Sequence, residues 1–271
     1  MIGRTAGSVI AVALFAAAAG PIEHEATARV TWQRGQAGVE WATLPIRGQS
    51  AAAAVRLVLA RVDPRLVTFD LVWDVENDRP AWTVDRAPDA ALSLNAGMFV
   101  QQLPWGWVVM NGRERLPPGI GPLSSALIGL GDGRLVWVDG DDVSAWRGRT
   151  DVRFAFQSYP TLLTGNGEVP VALRDGEINE THRDARLALG IDREGRLLIA
   201  LTRFDVAIPG ADRLPFGLTV PEMAAVMGSL GARQAMLLDG GISAQLAIAD
   251  SAGTTRAWKG LRKVPLALVA R

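Results

Sequence analysis

Leu237-Leu238-Asp239-Gly240-Gly241-Ile242-Ser243 carries a carboxylate to the end of an apolar run, follows it with two glycines and then supplies a hydroxyl. A strand end holds such an acid rigidly. Residues without a Cβ let a ligand approach the backbone and leave amide N–H groups free to meet anionic oxygens. Leu92-Ser93-Leu94-Asn95-Ala96-Gly97-Met98-Phe99 repeats the arrangement earlier in the chain, with an amide in place of the acid. Two strand ends of one design imply one shared pocket.

The elements that must position these ends can be read from the hydrophobic periodicity. Val55 to Val62 and Leu66 to Trp73 read as extended segments and are expected to pair with each other. Ala126 to Leu130 and Leu135 to Val138 flank Gly131-Asp132-Gly133, and Asn166-Gly167 separates Thr161-Leu162-Leu163 from Val169 to Leu173. Both patterns predict hairpins, because Asp-Gly and Asn-Gly tolerate the positive φ of tight turns. A third hairpin is expected where Leu187 to Ile191 meets Leu197 to Leu201 across Arg193-Glu194-Gly195. The clearest helix starts at Thr219, with Glu222 completing a capping box and Gly231 marking the stop. Met223, Val226, Met227 and Leu230 make its apolar stripe, which reads as core packing, and the helix is expected to pack on the sheet and fix the register of the strand leading to Asp239. The fold class is therefore α/β in the α+β sense: a mixed, largely antiparallel central sheet with a few packed helices, in one domain over 41–271.

Composition narrows the chemistry. Lys plus Arg equals Asp plus Glu at 28 each, so no global field attracts nucleic acid or an anionic membrane surface. The chain has no cysteine, which excludes thiol nucleophiles, disulfides and a lipidated cysteine. Neither a Gly-x-Ser-x-Gly elbow, nor a phosphate loop ending in Gly-Lys-Ser/Thr, nor a His-Glu-x-x-His pair is present. Asp139-Gly140-Asp141-Asp142 reads as an acidic turn rather than a full cation loop, and no required metal or cofactor is expected. Arg4 ahead of the apolar run Val9 to Ala19 reads as a secretory signal peptide over 1–19, an uncleaved anchor being the other reading. Its apolar core falls short of the roughly 20 residues of a membrane span. A linker over 20–40 would follow, and the mature chain would be periplasmic or secreted, with no stable membrane insertion.

Several motifs, taken in order, resemble the phosphodiester glycosidase family, and in particular its bacterial branch. Asn95-Ala96-Gly97-Met98-Phe99 is similar to the family's Asn-Gly-Gly-Phe-Phe element, and Gln157-Ser158-Tyr159-Pro160 stands where Gln-Ser-Gly-Pro is typical. Arg186-Leu187-Ala188-Leu189-Gly190-Ile191 resembles its Arg-Thr-Ala-Val-Gly segment. Asp239-Gly240-Gly241-Ile242-Ser243 resembles its Asp-Gly-Gly-Gly-Ser signature, and Arg262-Lys263-Val264-Pro265 opens a similar final strand. Ile242, Ala96, Met98 and Tyr159 depart from the pattern and imply a tighter pocket. The animal enzyme's substrate does not transfer with the resemblance.

The resemblance implies cleavage of the bond between an anomeric carbon and a phosphate oxygen. Arg186 is then the candidate phosphate clamp, because a guanidinium offers paired planar donors; a surface strand arginine is its plainer reading. Asp239 would serve as nucleophile, as base for water, or as electrostatic partner of a cationic sugar, and a turn aspartate is the alternative. Asn95 would bind a sugar hydroxyl or the phosphate, or else stabilise a turn. Gly97, Met98, Phe99, Gln157, Ser158, Gly240, Gly241 and Ser243 complete the candidate binding set. Trp105 joins them as a stacking surface, sharing one face with Trp107 if the segment is extended. Asp184, Asp192, Glu180 and Asp205 all offer a second carboxylate, undistinguished by spacing, and His182 is a candidate proton carrier or a solvated loop residue. The expected ligand is a glycosyl phosphodiester or phosphosugar polymer, acted on in envelope or exopolysaccharide metabolism. The rival is a non-catalytic binding protein on the same scaffold, and another sugar-phosphate transferase chemistry is a third reading.

Overall fold

A computed structural model of the 271-residue chain describes residues 30–47, 54–119, 124–174, 181–204 and 210–271. The expected signal peptide, the first part of the linker, Glu180 and Asp205 lie outside the described residues. The strand Gln33–Arg34 pairs with Val39–Arg47, so regular structure begins inside the segment read as linker.

Among the described residues there are three large sheets and two two-stranded ribbons. The largest is seven-stranded, in the order Gln33–Arg34, Val39–Arg47, Ala54–Val62, Leu197–Phe204, Leu187–Asp192, Ala232–Leu238 and Thr161–Leu163. A five-stranded sheet runs Thr255–Trp258, Leu246–Ala249, Leu92–Asn95, Leu266–Ala270 and Phe69–Trp73. A second five-stranded sheet centres on Val152–Ser158 and Ser125–Leu130. All strand pairings among the described residues are antiparallel, and the single mixed central sheet expected from the sequence is corrected accordingly. The chain is more sheet-rich than an α/β architecture because neighbouring strands are joined without the helical crossovers that parallel pairing needs.

The inner faces of the three sheets meet in one core, where Leu187, Leu189 and Met236 pack with Leu92, Leu94, Leu266, Leu127 and Phe156. The outer face of the seven-stranded sheet is also covered, with Leu57, Leu59, Ala188, Leu198 and Leu237 in one apolar cluster with the buried face of the helix Val220–Ser229. Burial on both faces explains why the strands of Leu187–Asp192 and Leu197–Phe204 are almost continuously apolar rather than alternating.

Two hairpins stand where the turn residues place them: Gly129↔Leu135 closes on Gly133 at φ 88°, and Ile191↔Leu197 closes on Gly195 at φ 77°. The other two pairings are corrected. Ala54–Val62 pairs with Val39–Arg47 and Leu197–Phe204, while Phe69–Trp73 pairs with Leu266–Ala270 at the far end of the chain. Asn166-Gly167 does turn the chain, with a bridge from Thr164 to Glu168, but Thr161–Leu163 pairs with Ala232–Leu238 and Val171–Arg174 is a short helix.

The helix Val220–Ser229 has the full capping box: the Thr219 hydroxyl accepts from the Glu222 N–H at 3.3 Å and the Glu222 carboxylate accepts from the Thr219 N–H at 2.9 Å. Met223, Val226 and Met227 are buried, and Gly231 ends the helix at φ 87°. The helix packs on Thr161–Leu163, Ala232–Leu238 and Leu187–Asp192, so it braces the strand that delivers Asp239. Thr219→Ala is expected to destabilise the fold by about 1 kcal/mol, seen as a fall in melting temperature of about 2–4 °C.

Candidate active site

Asp239 follows the strand Ala232–Leu238, and Asn95 ends Leu92–Asn95 in a different sheet. The two ends are laced together. The Asp239 N–H donates to the Gly97 carbonyl at 2.8 Å, and the Asn95 amide nitrogen donates to the Asp239 carbonyl at 2.9 Å. The Asn95 side-chain oxygen accepts from the Gln245 N–H at 2.9 Å, and the residue is fully buried. Its amide is thus committed to backbone at both ends, and it bears on the site through the peptide of Asp239. Gly97 sits at φ 75°, a left-handed conformation that favours glycine.

Antiparallel pairing continues beyond the strands. Leu187 faces Leu238, and further along the Gly241 N–H donates to the Ala185 carbonyl at 2.7 Å. A Cβ on Gly240 would lie 2.5 Å from that same oxygen. A Cβ on Gly241, at φ 56°, would lie 3.1 Å from Asp184 Oδ2. The two-glycine turn is therefore packed directly on the Asp184 segment. Gly240→Ala is expected to force these backbones apart at a cost of about 1–3 kcal/mol, read as a lower urea midpoint.

The register distinguishes Asp184 among the acids that spacing left equal. Asp192 lies at the opposite end of the strand Leu187–Asp192, where its oxygens accept from the Glu194 and Arg196 N–H groups and from Arg196 Nε, as the cap of a turn. Asp184 and Asp239 are both half-buried, and both are pushed above the ordinary carboxylate range. Burial is the main cause for Asp239, with the Asp184 charge adding to it and the Ser243 hydrogen bond and the Arg262 charge opposing. Burial also leads for Asp184, against an N–H donated by Ala185 at 2.8 Å and the charges of Arg186 and His182. His182 is exposed, 3.8 Å from the Asp184 carboxylate.

Arg186 is held in place: Nε donates to the Leu218 carbonyl at 3.0 Å and one terminal nitrogen to the His182 carbonyl at 2.8 Å. Burial lowers its pKa and Asp184 opposes that fall. Arg183 makes a paired contact with Glu222 at 2.7 and 2.6 Å, which ties the Asp184 segment to the capped end of the helix.

The remaining candidates divide between turn and scaffold. Ser243 is buried, with its N–H on the Gly240 carbonyl and its hydroxyl serving Asp239. Buried Gln157 accepts from the Trp107 and Gly119 N–H groups, and buried Ser158 donates to the Leu237 carbonyl at 2.6 Å. Met98 and Phe99 are half-buried in the short ribbon with Leu103–Trp105. Trp105 packs against Tyr159 with ring centroids 6.2 Å apart, whereas Trp107 is buried in the second five-stranded sheet's core. Gly106, at φ 83°, breaks the extended run between them, so the expected shared face is not formed. Ile242 is 42% exposed, so its side chain faces solvent beside the glycine turn.

Two arginines join the site that sequence reasoning did not single out. The Leu261 and Arg262 N–H groups donate to the Ile242 carbonyl at 2.8 and 3.0 Å, which lays Arg262 beside the glycine turn and within electrostatic reach of Asp239. Buried Arg203 donates to the carbonyls of Ala244 and Trp258, each at 2.8 Å, and of Lys259 at 3.3 Å. It thereby pins the segment after Ser243 to the one before Arg262. Burial pushes its pKa down to about 10.

A family model for phosphodiester glycosidases matches residues 89–271. The chain belongs to the phosphodiester glycosidase family. That span holds Asn95, Asp184, Arg186, Arg203, Asp239 and Arg262. The phosphodiester glycosidase fold is shared with the catalytic domain of zebrafish N-acetylglucosamine-1-phosphodiester alpha-N-acetylglucosaminidase, described as auto-inhibited by its pro-peptide. That likeness has a TM-score of 0.65 at 15% identity and covers 89% of this chain and 87% of the zebrafish one. A hypothetical protein from Synechocystis aligns with a TM-score of 0.58 at 17% identity, over 91% of this chain and 65% of its own length. A putative exported protein from Burkholderia pseudomallei aligns with a TM-score of 0.50 at 14% identity, over 86% of this chain and 75% of its own. At such identities the likeness is one of fold. A search of curated proteins finds no match.

Proposed function

We propose that this phosphodiester glycosidase hydrolyses a sugar-1-phosphodiester, with Asp239 acting at the anomeric carbon and Asp184 as its partner. The observation that carries the reading is the carboxylate pair itself. Asp184 is packed on the glycine turn that follows Asp239, and burial raises both. Pairs of carboxylates in one site are how glycoside cleavage divides its labour.

In the overall step water supplies the new hydroxyl on the anomeric carbon. The bond from that carbon to the phosphate oxygen breaks with its electron pair leaving on the phosphate. The remaining proton of water passes to a carboxylate and then to solvent. A phosphate monoester has a second pKa of about 6, so this leaving group needs little protonation near neutral pH. The burden falls on the developing sugar cation and on the phosphate charge. Asp239 faces the first as nucleophile or as electrostatic partner. Asp184, on the segment packed against the glycine turn, takes the water proton. Arg186 and Arg262 supply cationic donors for phosphate oxygens. Asn95 and Arg203 act as positioning residues, holding the Asp239 peptide and the Arg262 segment.

The activity named for the zebrafish relative supports the reaction class, and the sugar is to be found by experiment. We place the mature protein in the periplasm or outside the cell, acting in envelope or exopolysaccharide metabolism, on the support of the leader-like run from Arg4 to Ala19. No helix among the described residues is long and apolar enough to cross a membrane.

The test is release of free sugar from a panel of sugar-1-phosphodiesters by the purified mature protein. Wild-type protein is expected to release sugar from at least one member, and Asp184→Asn to slow that release by roughly 10²–10³-fold. Saturable binding of the panel without release from any member would replace the hydrolase reading with that of a phosphosugar-binding protein.

A further inference from the structure

Beside the carboxylate pair the surface turns apolar. Ile242, 42% exposed, follows the Gly241 that packs on the Asp184 carboxylate. Leu261, 54% exposed, meets it through the hydrogen bond to the Ile242 carbonyl, and Arg262 comes next in the chain. On another segment touching Asp184, a Cβ on Gly217 would lie 2.3 Å from the Asp184 carbonyl. Phe216, immediately before it, is 53% exposed, with its ring 5.2 Å from that of Phe204.

Single exposed apolar side chains are ordinary on a protein surface, but contiguous ones mark binding sites. Here Ile242 and Leu261 are joined through the Ile242 carbonyl, Phe216 adjoins the glycine that packs on the Asp184 main chain, and Arg262 follows Leu261. A sugar ring is largely polar and a phosphate is anionic, so neither accounts for exposed aliphatic surface of this kind. The part of a sugar-1-phosphodiester left to occupy it is the group esterified on the far side of the phosphate.

We propose that this group is apolar: the site takes a sugar-1-phosphate ester of a lipid alcohol, whose chain lies along Ile242, Leu261 and Phe216 while Arg262 meets the phosphate. The proposal rests on the glycosidase reading for its reaction and on the surface alone for its binding face.

Two measurements separate these. Binding of octyl phosphate and of methyl phosphate to Asp239→Asn protein is compared by calorimetry, with the octyl ester below its micelle-forming concentration. The octyl ester should bind at least about tenfold tighter, as expected for burying two or three methylenes. The advantage should fall to less than about threefold in protein that also carries Ile242→Ser and Leu261→Ser, with Phe216→Ser as a second, single-site variant in case the double one folds poorly. Equal affinity for the two esters, or an octyl advantage that survives in every variant, overturns the proposal. In parallel, methyl and octyl phosphodiesters of the best sugar in the panel are compared by kcat/KM with wild-type protein. An octyl binding preference without turnover of either ester leaves the lipid face standing and removes the hydrolase reading. Equal turnover of both without a binding preference does the reverse.

Discussion

Asp239→Asn is expected to lower kcat for a sugar-1-phosphodiester by roughly 10⁴-fold, the upper end of what a positioned carboxylate contributes. It is also expected to raise the melting temperature at pH 7. The second effect follows from the direction of the pKa shift. Burial holds the Asp239 pKa in the fold above that of the unfolded chain, so between the two values the native state keeps a proton that the unfolded state has lost. Stability therefore falls as pH rises from the ordinary carboxylate range through the raised native value, and below that range the group costs nothing. A neutral amide of the same shape removes the cost. Calorimetric scans should show the variant melting above wild type at pH 7, with the difference shrinking as the pH is lowered. A variant that melts lower at pH 7 would mean that the carboxylate is held as a structural acceptor, and an undiminished kcat would remove Asp239 from the chemistry. Loss of activity together with a gain in stability is the signature of a strained functional group.

Asn95→Ala should act mainly on the fold. Both bonds of its amide are 2.9 Å long, the one from the Gln245 N–H buried and the one to the Asp239 carbonyl partly so, and the side chain itself is fully buried. Removing them leaves a backbone acceptor and a backbone donor without partners, at about 1–3 kcal/mol each, beside the space vacated by the side chain. A loss of about 3–4 kcal/mol is expected, on the order of 10 °C in melting temperature for a chain of this size. A side chain whose main duty was a sugar or phosphate contact would instead lose less than about 1 kcal/mol on substitution while binding weakened. Equilibrium unfolding in urea, run alongside ligand affinity, separates the two.

The contrast between these residues shows what the sequence makes legible. Local signals survive into the fold: the glycine turns at Gly133 and Gly195, the capping box of Thr219 and Glu222, and the stop at Gly231 each depend on a few neighbouring residues. Partner choice between strands does not. Phe69–Trp73 pairs with Leu266–Ala270 because both have faces that the shared core must bury, a condition met across the whole chain and carried by no turn between them. The same distinction governs the site. Asp239 and Asn95 announce themselves by ending apolar runs ahead of small residues. Asp184 became distinct only once Leu187 was set opposite Leu238, since that register brings the residues just before Leu187 against the glycine turn. Arg262 reaches Asp239 through two N–H bonds to the Ile242 carbonyl, a loop contact without periodicity. Trp105 and Trp107 failed to share a face because the left-handed Gly106 between them interrupts the alternation on which that expectation rested.

The most direct measurement of the central claim is the fate of oxygen during hydrolysis in ¹⁸O-labelled water. Attack at the anomeric carbon, assisted by Asp239 and Asp184, places the label in the hydroxyl of the released sugar and leaves the phosphate monoester unlabelled. Label found in the phosphate would mean that the phosphorus–oxygen bond breaks instead, and would contradict the assignment of this site as a glycosidase.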